Sequence, residues 1–320
     1  MTRYIIRRIL WGVLLLILVT ALTFVLFRIL PTGDPARLRA GRDASPKVIA
    51  AIRRDLGLNK SLLAQFWIYM KEVFLHFNLG YSYYSSASVK SLIGERLGAT
   101  VSLMIGASIL WLGTGLPIGI ISALRRRSLL DRASMGTALV LVSAPEYWLA
   151  LIALYLFADD IGKVKVFPGA DSYVALASSP WKWFTSLLLP WLVLAAGSAA
   201  IYARLMRGSL TETMGEDYIR TARAKGLSER RVVLHHGVRA AINPILTILA
   251  LDIATLLGSA LLVEVVFNIP GIGQLSYTAL THSDFPIVQG TVLLGALFVI
   301  VANIFVDIAY AYLDPRVRFS

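Results

Sequence analysis

The chain has 320 residues, 57% of them hydrophobic, a mean hydropathy of +0.69 and a formal net charge of +12. Apolar residues gathered into uncharged runs of bilayer length exclude an ordinary soluble domain. The absence of cysteine excludes disulfides, zinc–thiolate sites and iron–sulfur clusters within the chain, and basic residues at the ends of apolar runs point to a membrane surface rather than to nucleic acid.

The pattern predicts an all-α integral membrane protein with six transmembrane helices. The first apolar run, Ile9 to Phe27, follows Arg3, Arg7 and Arg8. It outruns a signal-peptide core, and Arg28 and Pro31 follow it instead of a small-residue cleavage site, so it reads as a retained helix. From Leu30 to Gly98 the composition turns mixed. Ser45-Pro46 has the form of a helix N-cap with proline at the first helical position. Val48, Ile49, Ile52 and Leu56 then share a face, and Gly57 suits the helix end. A second amphipathic helix is expected from Ser61 to Phe74, and Tyr81, Tyr83 and Tyr84 suit a membrane interface. This stretch reads as a small outer helical cap, as a docking surface for an extracellular partner, or as both.

The second run is Ala99 to Leu124, the third Ala133 to Ala158 with Glu146, and the fourth Trp183 to Ala203. The fifth, Ile245 to Asn268, contains Asp252 and Glu264, and the sixth, Phe285 to Ala311, contains Asp307. The expected organisation is therefore residues 1–98, a first helix with an extracytoplasmic helical region, and residues 99–320, a five-helix core. With the N-terminus in the cytoplasm, segments 1–8, 125–132, 207–240 and 313–320 hold sixteen Lys/Arg, against three in the short outer loops 159–182 and 269–284. That bias orients both termini inward. The long stretch between the first two runs also carries cations, but long segments translocate largely regardless of charge.

The most informative segment is the basic loop 207–243. Glu216 and Asp217 open a short helix and Arg223 and Lys225 close it, matching the helix dipole. Gly226 is placed for a left-handed C-cap, Leu227 for the apolar contact beyond it, and Ser228 for capping a second helix through Arg231 to Arg239. Pro244 marks the start of the fifth membrane helix. A capped helix, a glycine turn and a helix leading into the bilayer make a lever at the membrane surface, presenting Ala222 and Ala224 to a groove in a partner.

At Tyr218-Ile219-Arg220-Thr221-Ala222-Arg223-Ala224-Lys225-Gly226 the sequence resembles the permease subunits of binding-protein-dependent ABC importers, in the dipeptide/oligopeptide/nickel branch. Further matching motifs follow in order along nearly the whole chain. They include Tyr4-Ile5-Ile6-Arg7-Arg8, Gly33-Asp34-Pro35-Ala36, Asp55-Leu56-Gly57-Leu58, Asn78-Leu79-Gly80-Tyr81-Ser82 and Glu95-Arg96-Leu97. Towards the end come Glu264-Val265-Val266-Phe267, Pro270-Gly271-Ile272-Gly273, Asp284-Phe285-Pro286 and Asp314-Pro315-Arg316. Arg220-Thr221-Ala222 stands where the general family signature has Glu-Ala-Ala, and Thr32, Ser88 and Gly98 also depart from the branch's pattern.

The resemblance implies a type I importer permease in the cell membrane that pairs with a second homologous permease, two ATP-binding subunits and an extracytoplasmic substrate-binding protein. It assigns ATPase coupling to Asp217, Tyr218, Ala222, Ala224, Lys225, Gly226 and Leu227. The substrate would be peptides or similar small solutes, with nickel, glutathione and sugar oligomers also open. The chain itself has no phosphate loop and no zinc-protease motif, and the adjacent His235 and His236 do not share a helix face for one metal. No catalytic residue, metal or cofactor is expected. The alternative is a secondary transporter driven by an ion gradient, for which Glu146, Asp252, Glu264 and Asp307 are the relevant intramembrane carboxylates. At about 1.5 Å per residue, Glu264 lies roughly 6 Å short of the outer end of its helix. With Pro270, Gly271 and Gly273, where two glycines allow close backbone approach or a hinge, it forms a candidate outer gate.

Overall fold

The computed structural model describes residues 2–29, 34–41 and 44–313. All regular structure among them is helical: α1 (Thr2–Ile29), α2 (Pro35–Ala40), α3 (Pro46–Asp55), α4 (Leu62–Leu75), α5 (Val89–Leu124), α6 (Leu129–Ser143), α7 (Glu146–Phe157), α8 (Pro180–Thr213) and α9 (Asp217–Ala224). There follow α10 (Glu229–Arg231), a π-helical segment Val232–Val238, α11 (Arg239–Ala241), α12 (Asn243–Phe267), α13 (Ile272–Thr281) and α14 (Phe285–Leu313).

Among the described residues, four helices are each long and apolar enough to cross a membrane, and bent pairs raise the number to as many as seven. The first, second, fourth and sixth expected spans fall on α1, α5, α8 and α14. The third is not one straight helix: α6 and α7 meet at 107° across Ala144-Pro145. Proline disfavours the helical conformation at the residue before it, and Ala144 is extended accordingly. The fifth lies on α12. Gly33, Asp314-Pro315-Arg316 and the side chain of Asp307 lie outside the described residues.

The chain divides into two compact units. One holds the residues up to Gly98 together with Gly271–Ile304; the other runs from Ala99 to Pro270 and resumes at Phe305. In the first unit the expected caps form. The Ser45 hydroxyl accepts from the amide of Val48 and the Ser61 hydroxyl from that of Ala64, while Gly57 takes a left-handed φ of +65°. Asp34 caps α2 and receives Arg53 at 2.5 Å, tying α2 to α3. The end of α1 is held by aromatic packing. The Phe24 ring lies 5.4 Å from Phe66 and 5.8 Å from Tyr69, and Phe27 stacks on Phe285 at 5.2 Å. Val89, Ile93, Ile272, Leu275 and Ile287 form the unit's core. Asp284 is 2% exposed and accepts hydrogen bonds from the Ser82 hydroxyl and from the amide of Tyr83 at 3.0 Å. Two motifs about two hundred residues apart thus meet in one buried carboxylate cap.

In the second unit α5 and α8 run close together. A Cβ at Gly119 would stand 2.5 Å from the Ala203 carbonyl and 2.7 Å from the Met206 Cβ, so glycine permits the approach. Trp111 and Tyr202 are fully buried beside this contact. Near the basic end of α8, Arg207 donates to both carboxylate oxygens of the buried Asp131, at 2.5 and 2.8 Å, joining α6 to α8. Such paired bonds fix geometry as well as adding energy.

Candidate functional site

The loop between α8 and α12 is built on a short amphipathic helix. Ile219 and Ala222 of α9 are buried against Val232, with Met214 and Leu227 packed around them. The opposite side of α9 is open: Asp217, Thr221, Ala224 and Lys225 are exposed, and Tyr218 is 46% exposed. Ala222 therefore does not present its methyl outward as expected from the sequence. The three-residue spacing to Ile219 puts it on the inward face, and Ala224 is the small residue that faces solvent.

The helix ends as the glycine predicts. Gly226 has φ +77°. Its amide donates to the carbonyl of Arg223 at 2.9 Å, and the Leu227 amide reaches back to the carbonyl of Ala222 at 3.4 Å. These two bonds are those of a Schellman cap, and Leu227 supplies its apolar contact. Arg223 donates to both oxygens of Glu229, at 3.1 and 2.7 Å, which clamps the two sides of the turn. This pairing holds the Glu229 carboxyl below its ordinary range and raises the Arg223 guanidinium further. Partial desolvation, then the neighbouring Glu216, raise the Tyr218 phenol.

Two details differ from the sequence reading. Ser228 occupies the N-cap position of α10, but its side chain makes no capping bond; backbone bonds from Arg231 and Val232 to its carbonyl start the helix. The second helix is also not uniform, because Val232–Val238 is π-helical before α11 and Pro244 lead into α12. The π segment contains His235 and His236, whose rings meet edge-on at 5.2 Å. The Ser209 hydroxyl donates to the carbonyl of Ala241 at 2.9 Å, anchoring the far end of the loop to α8. The residues assigned to coupling thus form one continuous element, six of them on α9 or its cap and Leu227 just beyond.

Glu264 is fully buried, and Thr100 Oγ1 donates to it at 2.6 Å. It has no exposed surface within the chain. Three residues past it α12 ends in a second Schellman cap. Asn268 takes φ +50°, its amide bonds to the carbonyl of Val265, and the Ile269 amide bonds to that of Glu264 at 2.9 Å. Asn268 also donates to Asp171 of the loop between α7 and α8, whose own amide bonds to the Phe267 carbonyl. Asparagine is the non-glycine residue most suited to this conformation, a signal the sequence carries at the end of the fifth run. Gly271 has φ −106° and ψ −177°, an extended backbone open to any residue, so no hinge geometry is required there. Glu264 and Pro270 belong to one unit, Gly271 and Gly273 to the other.

The profile of the family described as binding-protein-dependent transport system inner membrane component matches residues 115–319, and that of its N-terminal membrane component matches residues 1–104. The chain belongs to this family. It is an ABC transporter permease, an all-α multi-pass protein of the inner membrane. The permease is 40% identical to a Brucella abortus protein named as a peptide transport system permease, over 100% of both chains. It is 39% identical, again over 100% of both chains, to a glutathione transport system permease protein of Salmonella typhimurium.

Proposed function

We propose that this permease forms the translocation path of an ATP-driven importer for peptides or similar small solutes, and that the loop around α9 couples it to ATP hydrolysis in separate subunits. The observation that carries the reading is the α9 turn. Its apolar face, Schellman cap and Arg223–Glu229 clamp make a rigid knob on the chain's own packing, while Tyr218, Ala224 and Lys225 face solvent. A loop serving only to connect two spans needs no such capped element.

On this reading both termini and the α9 loop are cytoplasmic, in keeping with the Lys/Arg bias. The permease pairs with a second homologous permease and two ATP-binding subunits, and a substrate-binding protein delivers solute to residues 1–98 and to the outer end of the core at 99–320. ATP closes the nucleotide-binding subunits, the α9 knobs move with them, and the spans switch the open side. For uptake to be coupled, ATP and the loaded binding protein must favour the same permease state. Glu264, Pro270, Gly271 and Gly273 shape the outer gate, where Glu264 acts through its buried bond with Thr100 rather than as a hydrated carboxylate.

The test is copurification and uptake. Tagged permease should bring down an ATP-binding subunit, and uptake of labelled peptide should stop on ATP depletion while the ion gradient is maintained. Uptake that survives ATP depletion and collapses with the gradient would overturn the reading in favour of a secondary transporter.

A further inference from the structure

The first unit contains a cavity of about 410 Å³, within the region assigned to receive the binding protein. Its floor is apolar and comes from the ends of two membrane spans: Phe24 and Phe27 close the span Ile6–Phe27, and Phe285 opens the span Phe285–Ile304. A cavity walled by the terminal residues of two spans sits at the boundary between hydrocarbon and water. Its rim is cationic on balance, with Arg39, Arg54 and Lys60 exposed against two lining acids, Asp55 and Glu72, the second of which is held by Asn78 and His76. The α4 wall is tied to the rim, because Gln65 Nε2 donates to the carbonyls of Leu58 and Lys60.

The outer side of α4 is apolar too. Leu63 is 73% exposed and Trp67 68%, one turn apart on the face away from Gln65 and Glu72. A helix with an apolar outer face and an interfacial tryptophan beds at the lipid headgroup level, beside the cavity it lines.

We propose that this cavity is a binding site for an anionic phospholipid, with the headgroup phosphate at Arg39, Arg54 and Lys60 and the upper acyl carbons against Phe24, Phe27 and Phe285. A free phosphate would use the rim and leave the aromatic floor uncovered; a zwitterionic lipid would gain less from a rim with net positive charge. The site is independent of the coupling role assigned to the α9 loop.

The experiment is native mass spectrometry of full-length permease in mild detergent, titrated separately with phosphatidylglycerol, phosphatidylcholine and inorganic phosphate. The expected result is one retained phosphatidylglycerol, weaker phosphatidylcholine and no phosphate. R54A/K60A should bind phosphatidylglycerol roughly tenfold to thirtyfold more weakly, R54K/K60R should retain it, and K71A, which removes an exposed cation of α4 outside the cavity, should match the unaltered chain. Unchanged phosphatidylglycerol binding by R54A/K60A overturns the proposal. So does phosphate competing at equal concentration, which makes the rim a general anion site. Unchanged lipid binding with loss of affinity for a copurifying soluble binding protein overturns it in favour of a protein-docking surface.

Discussion

Gly226 holds its left-handed φ with open space where a Cβ would stand, so a side chain there costs backbone strain alone. Gly226→Ala should cost about 1 kcal/mol, and Gly226→Val more because its β-branch is poorly tolerated at positive φ. The expected outcome is normal membrane insertion with ATP hydrolysis no longer matched to uptake, measured as the ratio of the two rates in reconstituted complex; an unchanged ratio for the valine variant would remove the cap from the coupling mechanism. The Arg223–Glu229 clamp gives a pH dependence of defined sign. A carboxyl whose folded pKa is depressed stabilises the fold above its unfolded pKa, here 4.5, and that contribution is lost as the pH falls through the lowered value. Because the pair is exposed the effect is small. Amide-exchange protection of residues 219–232, corrected for intrinsic rates, should fall between pH 6 and pH 3.5 in the unaltered chain and change less in Glu229→Gln. Asp284 presents a larger effect. Asp284→Ala removes the acceptor of the buried Ser82 hydroxyl and of the half-buried Tyr83 amide, for a loss of about 2–4 kcal/mol. A fall in thermal stability with new protease cleavage between Asn78 and Val89 should accompany it.

At the scale of elements, α9 separates packing from recognition. Ala222→Asp places a charge in the cluster of Ile219 and Val232, so it should loosen the loop itself and expose it to proteolysis. Ala224→Asp adds the same charge on the exposed side and should leave the loop intact while weakening capture of the ATP-binding subunit. Equal proteolytic sensitivity of the two variants would show that the faces are not distinct. The α5–α8 contact makes a second prediction of this kind. A leucine at Gly119 must displace the backbone of Ala203 as well as the Met206 side chain, and backbone does not yield cheaply in a packed interior. Gly119→Leu should insert normally yet melt at lower temperature, whereas Gly113→Leu, which meets open space, should not.

For the whole molecule, the charge bias predicts a topology that the cysteine-free chain makes easy to examine. Single cysteines at Arg126 and Lys225 should resist an impermeant thiol reagent in intact cells, while those at Lys60 and Lys163 should label; the reverse pattern would invert the protein in the membrane. Much of the architecture is legible along the chain because it depends on local terms. Apolar runs mark α1, α5, α8 and α14, serines at 45 and 61 mark helix starts, and Gly57 and Gly226 mark ends, since each acts within four residues of itself. The bend between α6 and α7 was also written in Pro145, although a hydropathy window averages across it. What the sequence by itself determined is therefore membrane insertion, the helix boundaries set by caps and the position of the α9 turn, all consequences of short-range hydrogen bonding and of apolar length. Only the tertiary structure decided that Asp131 belongs to Arg207, that Asp284 caps the loop at Ser82, and that Glu264 is buried against Thr100. Each of these pairs residues from segments far apart in the chain, and a partner's side chain, unlike a cap, leaves no periodic trace in the segment that receives it.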